Sequence, residues 1–216
     1  MKWCNKLEYV IFLIIVYLFS SLNFSIIYLN KIKKDPSKSW RTHLGSSYIW
    51  KYHSKTAGII IFFGDSVLKG FLPIFIAKFM IDLNQSYLIG EYYLIPILLV
   101  QIIGNNWSIF LKLNGGRGMA IIIGSLLGIN LAMALILYSL YLIIYFKLRD
   151  GGPSWLISIA ISCIFSLIFS TSLFFCYSIC LFLIILKRIT GNSLTKDYKI
   201  IINRIILDRD IKNENS

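Results

Sequence analysis

From Trp155 to Leu186 the chain runs for 32 residues without a charged side chain. A helix crosses the roughly 30 Å hydrocarbon core of a bilayer in about 20 residues. This run therefore exceeds one crossing, and reads either as one strongly tilted helix or as broken pieces. Four further apolar runs, about residues 9–30, 57–80, 92–111 and 119–146, have helix-crossing length. With 57% hydrophobic and only 15% charged residues and a mean hydropathy of +0.72, the composition lies outside that of ordinary soluble domains. The fold class that follows is all-α, a polytopic transmembrane helix bundle with five spans by hydropathy, built as a single membrane domain over residues 1–216.

The first run is longer than the 7–15 apolar residues of a typical signal peptide, and no small-x-small cleavage site follows it. It reads as a retained span. The four cysteines, Cys4, Cys163, Cys176 and Cys180, show no ligand spacing. Cys176 and Cys180 share a helix face, but no His or further Cys completes a tetrahedral site, so packing is their expected role and no metal or cofactor is expected.

Charge sets the orientation. The formal net charge is +12, and it is concentrated between the apolar runs. The stretch 31–56 carries Lys31, Lys33, Lys34, Lys38, Arg41, Lys51 and Lys55 against the single acid Asp35. Loops rich in Lys and Arg stay in the cytoplasm, which places 31–56, 112–118 and the tail 187–216 inside, and the N-terminus outside. The connection Asp82–Glu91 has no Lys or Arg and belongs outside. Lys147–Pro153 is expected outside too, although Lys147 and Arg149 run against the rule; the stretch 155–186 then holds an odd number of crossings. The location expected is therefore a membrane, with these basic loops on its cytoplasmic face. The basic loops suit anionic lipid head groups or a phosphorylated substrate rather than nucleic acid. Trp40, Trp50, Tyr92, Tyr93 and Trp155 fit interfacial belts, and Asp208–Ser216 reads as a frayed polar end.

Three segments carry chemistry. Asn114-Gly115-Gly116-Arg117-Gly118 sits just before an apolar helix. Glycines expose successive backbone N–H groups, the helix start adds a positive dipole end and Arg117 a full charge, which together suit a phosphate or carboxylate. The alternative is a tight turn with one snorkelling Arg. Asp65 and Lys69, spaced i, i+4 inside an apolar span between Gly64 and Gly70, mark either a functional site or a structural ion pair. In Arg41-Thr42-His43-Leu44-Gly45-Ser46-Ser47, no acid completes a triad at a readable position, so Ser46 reads as a hydrogen-bond donor to an anion, and His43 and His53 as loop residues. Gly124 and Gly128 form a small-residue face expected to pack against a helix.

Taken in order, these segments resemble the cytoplasmic motifs of the bacterial acyl-phosphate glycerol-3-phosphate acyltransferases. Arg41, His43, Gly45 and Ser46 follow the first motif, Lys55-Thr56-Ala57-Gly58 the entry to the next span, Asp65 to Gly70 its Asp-x-x-x-Lys-Gly, and Gly115-Gly116-Arg117-Gly118-Met119-Ala120 the second motif, with Arg for Lys. Ser47-Tyr48-Ile49-Trp50 stands where Gly-Asn-x-Gly is usual, and Asn105 where a His is usual. A third motif of His, Asn and Arg is expected at Tyr198, Ile201 and Arg204, where the Arg alone is kept.

The resemblance implies up to seven helices, and acyl transfer from an acyl phosphate to the 1-hydroxyl of glycerol 3-phosphate, giving lysophosphatidic acid. It implies Ser46, Arg41 and Arg117 as catalytic groups. Gly45, Gly115, Gly116, Gly118, Lys69 and Arg204 would bind substrate phosphate, with Asp65 and Lys69 as a supporting ion pair. No cofactor is implied; the partners are the two substrates and the bilayer. A protein that keeps the phosphate-binding fold without turnover is the second reading. A small transporter is the third, for which the spans offer few ionisable groups beyond Asp65 and Lys69.

Overall fold

The computed structural model of the chain describes residues 6–34, 45–80, 87–192 and 195–208, and every regular element among them is helical. Helices α1 (Lys6–Ser21) and α2 (Phe24–Lys31) form a pair bent by 41°. At the bend Asn23 caps α2, its Oδ1 accepting from the Ile26 N–H at 3.0 Å. A short α3 (Ser46–Tyr52) precedes α4 (Lys55–Met80), whose start is capped by Ser54 Oγ on the Ala57 N–H at 3.3 Å. Then come α5 (Tyr87–Asn106), α6 (Met119–Ile129), α7 (Leu131–Leu148), α8 (Gly151–Phe169), α9 (Thr171–Thr190) and α10 (Tyr198–Leu207).

Five of these, α4 and the apolar stretches of α5, α7, α8 and α9, are long and apolar enough to cross a membrane, and the bent pair makes a sixth span. Counting α6 with them meets the seven-helix expectation of the family resemblance. At 11 residues, α6 is about 16 Å long, roughly half the hydrocarbon thickness.

One expected span is divided, and of the two readings left open for 155–186 the broken one holds. The run 119–146 is two helices, because Asn130 adopts an extended conformation and turns its Oδ1 onto the Met133 N–H at 3.0 Å, ending α6 and capping α7. The chain doubles back there, and the Tyr138 hydroxyl on α7 donates to the Ile123 carbonyl on α6 at 2.8 Å. Ser170 acts alike between α8 and α9, accepting from the Leu173 N–H at 3.2 Å. Cys163 and Ser178 then face each other across the hairpin at 3.2 Å. The stretch 155–186 therefore holds two helices of crossing length, an even number. Lys147–Pro153 accordingly lies at the same end of the bundle as 112–118 and the tail, not at the opposite end.

Inside the bundle, Leu94, Ile97, Leu98 and Ile102 of α5 pack with Ile122 and Leu126 of α6 and with Leu173, Cys176 and Cys180 of α9. The three described cysteines are buried. The closest crossing is α4 on α6, where a Cβ on Gly124 would collide with the Ser66 carbonyl and one on Gly128 would come within 2.9 Å of Ile74. Residues Gly64–Phe71 of α4 are wound as a π-helix. Gln101 of α5 donates to the Lys69 and Gly70 carbonyls at 2.7 and 2.8 Å, and accepts from Ser125 of α6 at 2.8 Å. This buried amide ties three helices together at the irregular turn.

Candidate functional site

At the end of the bundle where α6 begins, residues from several helices line an open cavity of about 500 Å³. Its rim is made by α3 with Gly45, the loop and helix start 116–121, the start of α8 and the end of α10, and its depth by Asn23 at the start of α2, Phe62 and Asp65 of α4, Asn105 of α5 and Tyr141 of α7. Its walls differ in character. Gly45, Ser46, Lys51, Arg117 and Asp208 give polar groups, while Phe62, Met119, Ile123, Tyr141 and Trp155 give an apolar flank.

The glycine loop is held from behind. The Gly116 N–H donates to the Asn105 carbonyl at 3.0 Å. Gly115 exchanges two hydrogen bonds with the Asn192 side chain, both at 3.2 Å, and Lys187 Nζ donates to the same Asn192 Oδ1 at 3.0 Å. Gly118 has φ +72°, a left-handed conformation that a side chain opposes. Having no side chain, it also leaves the first turn of α6 without a side-chain cap, so that positive helix end opens where residues 116–121 line the cavity.

Arg117 is ion-paired with the Asp208 carboxylate, which is also ion-paired with Arg188, its Nε 3.0 Å away. The rest of the Arg188 fork serves the backbone, Nη1 donating to the Ile205 carbonyl at 2.6 Å and Nη2 to the Gly152 carbonyl at 2.8 Å. Asp208 is thus no frayed end: its side chain is 7% exposed.

Of the residues singled out in the sequence, Gly45, Ser46, Asp65, Gly116, Arg117 and Gly118 come together around this cavity. Gly115 stands behind the loop with Asn192. Lys69 lies beneath the wall, fully buried, 2.5 Å from Asp65, donating to the Leu22 carbonyl and 4.0 Å from the Phe24 ring centroid. Arg204 is 3% exposed and packs on Gly191, away from the cavity. Arg41 and His43 lie outside the described residues. His53 is not on the cavity wall; its ring sits 5.5 Å from that of Tyr48.

Lys51, Asp150, Trp155 and Asp208 line the cavity without having been singled out for it. The i, i+4 spacing of Ser47 and Lys51 was a readable sign for Lys51. Trp155, expected in an interfacial belt, is 2% exposed and stands edge-on to Tyr141 with ring centroids 5.7 Å apart. No local signal marked Asp208.

Residues 10–195 match the family model described as glycerol-3-phosphate acyltransferase. That stretch ends before Tyr198–Arg204, where the third motif was expected. A glycerol-3-phosphate acyltransferase of Wolbachia pipientis subsp. Culex pipiens (strain wPip) is 30% identical over 182 residues, 84% of this chain and 92% of the relative. One from Coxiella burnetii is 27% identical over 163 residues, 75% and 80% of the two chains. The fold is similar to crystal structures of PlsY, an integral membrane glycerol 3-phosphate acyltransferase, in its glycerol 3-phosphate form (TM-score 0.74) and its lysophosphatidic acid form (0.73). Each is 22% identical and covers 94% of both chains. With the family model spanning most of its length, this chain belongs to the glycerol-3-phosphate acyltransferase family.

Proposed function

We propose that the chain transfers a fatty acyl group from an acyl phosphate to the 1-hydroxyl of glycerol 3-phosphate, releasing lysophosphatidic acid and inorganic phosphate. The observation carrying this reading is the cavity itself, where Ser46, Lys51 and Arg117 stand on the same walls as Phe62, Met119, Ile123 and Trp155. Each part suits one part of the substrates, the basic and hydroxyl groups the phosphates, the apolar flank the start of an acyl chain.

In the reaction the 1-hydroxyl oxygen attacks the acyl carbonyl carbon, the ester C–O bond forms, and the bond from that carbon to the phosphate oxygen breaks. The hydroxyl proton passes to a phosphate oxygen, so no protein base is required. Arg117, Lys51 and the start of α6 stabilise the charge that moves onto carbonyl and phosphate oxygens, and Ser46 donates a hydrogen bond to an oxygen. Holding both substrates in one cleft supplies the remainder through proximity. The acids on the walls leave the site net positive, since the one that meets Arg117, Asp208, is shared between two guanidiniums. Asp65 is paired with Lys69, Asp150 Oδ1 caps α8 by accepting from the Gly152 N–H at 3.1 Å, and Asp208 is engaged by two arginines. Arg41 completes the proposed set; Gly45, Gly116 and Gly118 give the substrate phosphates close approach to the backbone, and Gly115, Lys69 and Arg204 support the fold around it.

The same reading makes the chain one domain of the bacterial inner membrane, with the cavity end and C-terminus in the cytoplasm and the N-terminus outside; the basic loops support it. Purified protein in detergent, given acyl phosphate and glycerol 3-phosphate, is expected to form lysophosphatidic acid. No product above a heat-killed control, in an assay where a relative turns over, would reject the proposal. In a strain lacking this step, growth restored by the wild type and lost with Gly116→Leu would assign the site as well, since even a Cβ at Gly116 meets Asn105 Nδ2 at 3.0 Å.

A further inference from the structure

Asp208 lies 13 positions beyond the last residue that the family model matches, yet it lines the cavity and pairs with Arg117. It is fixed from behind. Arg188, 1% exposed, reaches Asp208 with Nε while its two other nitrogens bind the Ile205 and Gly152 carbonyls. All three arms of that guanidinium are engaged by protein, so Arg188 anchors the carboxylate and leaves Arg117 as the member of the pair that faces substrate. Gly152 permits the approach, since a Cβ there would come 2.7 Å from the Asp208 Cβ.

We infer that Asp208 is a positioning residue for acyl transfer, acting through Arg117. A long guanidinium side chain carries more rotamer freedom than one fixed geometry can use, and a buried carboxylate on one edge of its fork fixes the plane in which the other N–H groups meet a phosphate. The tail helix α10 thereby contributes to the site a group that the compact ammonium of a lysine at position 117 would not need. This rests on the proposal that Arg117 contacts substrate phosphate.

A double-mutant cycle tests it. Steady-state constants are measured in detergent for wild type, Asp208→Asn, Arg117→Lys and the double variant. Asp208→Asn is expected to lower kcat/KM by about tenfold, the scale of one charge-assisted hydrogen bond. On the Arg117→Lys background the same change is expected to cost less than twofold. Equal losses on both backgrounds would make Asp208 merely structural, holding the tail through Arg188, and would overturn the inference. A lower KM in Asp208→Asn would overturn it too, because the carboxylate would then be competing with substrate. If Asp208→Asn fails to fold, Gly152→Ala, which displaces the carboxylate without removing it, takes its place in the same cycle with the same expectation. Should wild type itself yield no product, the acyl-transfer proposal fails separately. The cycle is then read by calorimetric binding of glycerol 3-phosphate, where background-dependent loss supports the inference and its absence rejects it.

Discussion

Lys69 is a cation with no exposure at all, held by the Asp65 carboxylate, the Leu22 carbonyl and the face of Phe24. The bent pair leaves the Leu22 carbonyl outside a regular helix, and the ammonium satisfies it. Removing one member of a buried ion pair strands the other charge, at a cost of about 3–5 kcal/mol. Lys69→Met is therefore expected to lower the unfolding temperature in detergent strongly, and Asp65→Asn added to it to recover most of that loss. If the double variant is as unstable as the single, the pair is not what stabilises this region. Lys51 differs in kind, being exposed on the cavity wall. Lys51→Ala is expected to raise KM for the phosphorylated substrates about tenfold, with little change in thermal stability; unchanged KM would remove Lys51 from the site. The i, i+4 spacing of Asp65 and Lys69 was legible, but whether it served substrate or structure was not. That depended on a carbonyl 47 positions away in the chain.

Among the elements, α6 shows how a short helix is kept in a bundle of long ones. Gly124 lets it lie against the backbone of α4 with no room for a methyl group, and Gln101 and Ser125 bind the two helices through a buried amide. Gly124→Ala should destabilise by about 1–3 kcal/mol, the usual range for overpacking a filled interior. Because α4 carries Asp65 on the cavity wall, activity is expected to fall with it. A fully stable, fully active Gly124→Ala protein would show that the contact relaxes freely. The packing role of Gly124 and Gly128 was readable from their spacing. The reversal at Asn130 was not, nor was the place of the break in 155–186, because hydropathy averaged over a span-length window hides one polar residue between two apolar helices. Both nevertheless carry N-cap chemistry, an Asn and a Ser whose side chains bind the N–H three residues onward, and a search for caps inside the long runs would have divided them.

At the scale of the whole molecule those two reversals decide which loops share a side. With 119–146 taken as a single crossing, Lys147–Pro153 was sent outward, against its own Lys147 and Arg149, and 155–186 was left an odd number of crossings to bring the tail inside. Two crossings return it to the cavity end, where Arg188 on α9 reaches the Gly152 carbonyl. The basic residues then agree with the positive-inside rule at every described loop of that end. Much of the fold was thus legible from apolar length and charge, but the tail's place in the site was not, because Asp208 is brought to Arg117 only by the packing of α10 against α8 and α9. The arrangement can be tested without reference to catalysis. Cys163, Cys176 and Cys180 are buried, so in a Cys4→Ser background single cysteines replacing Lys112, Arg149 and Gln85 report sidedness to a membrane-impermeant maleimide. In cells, positions 112 and 149 are expected to stay unlabelled until the membrane is permeabilised, and position 85 to react at once. Labelling of 149 together with 85 would restore an odd number of crossings between 155 and 186. It would also detach the start of α8 from the cavity that Gly152, Arg188 and Asp208 build.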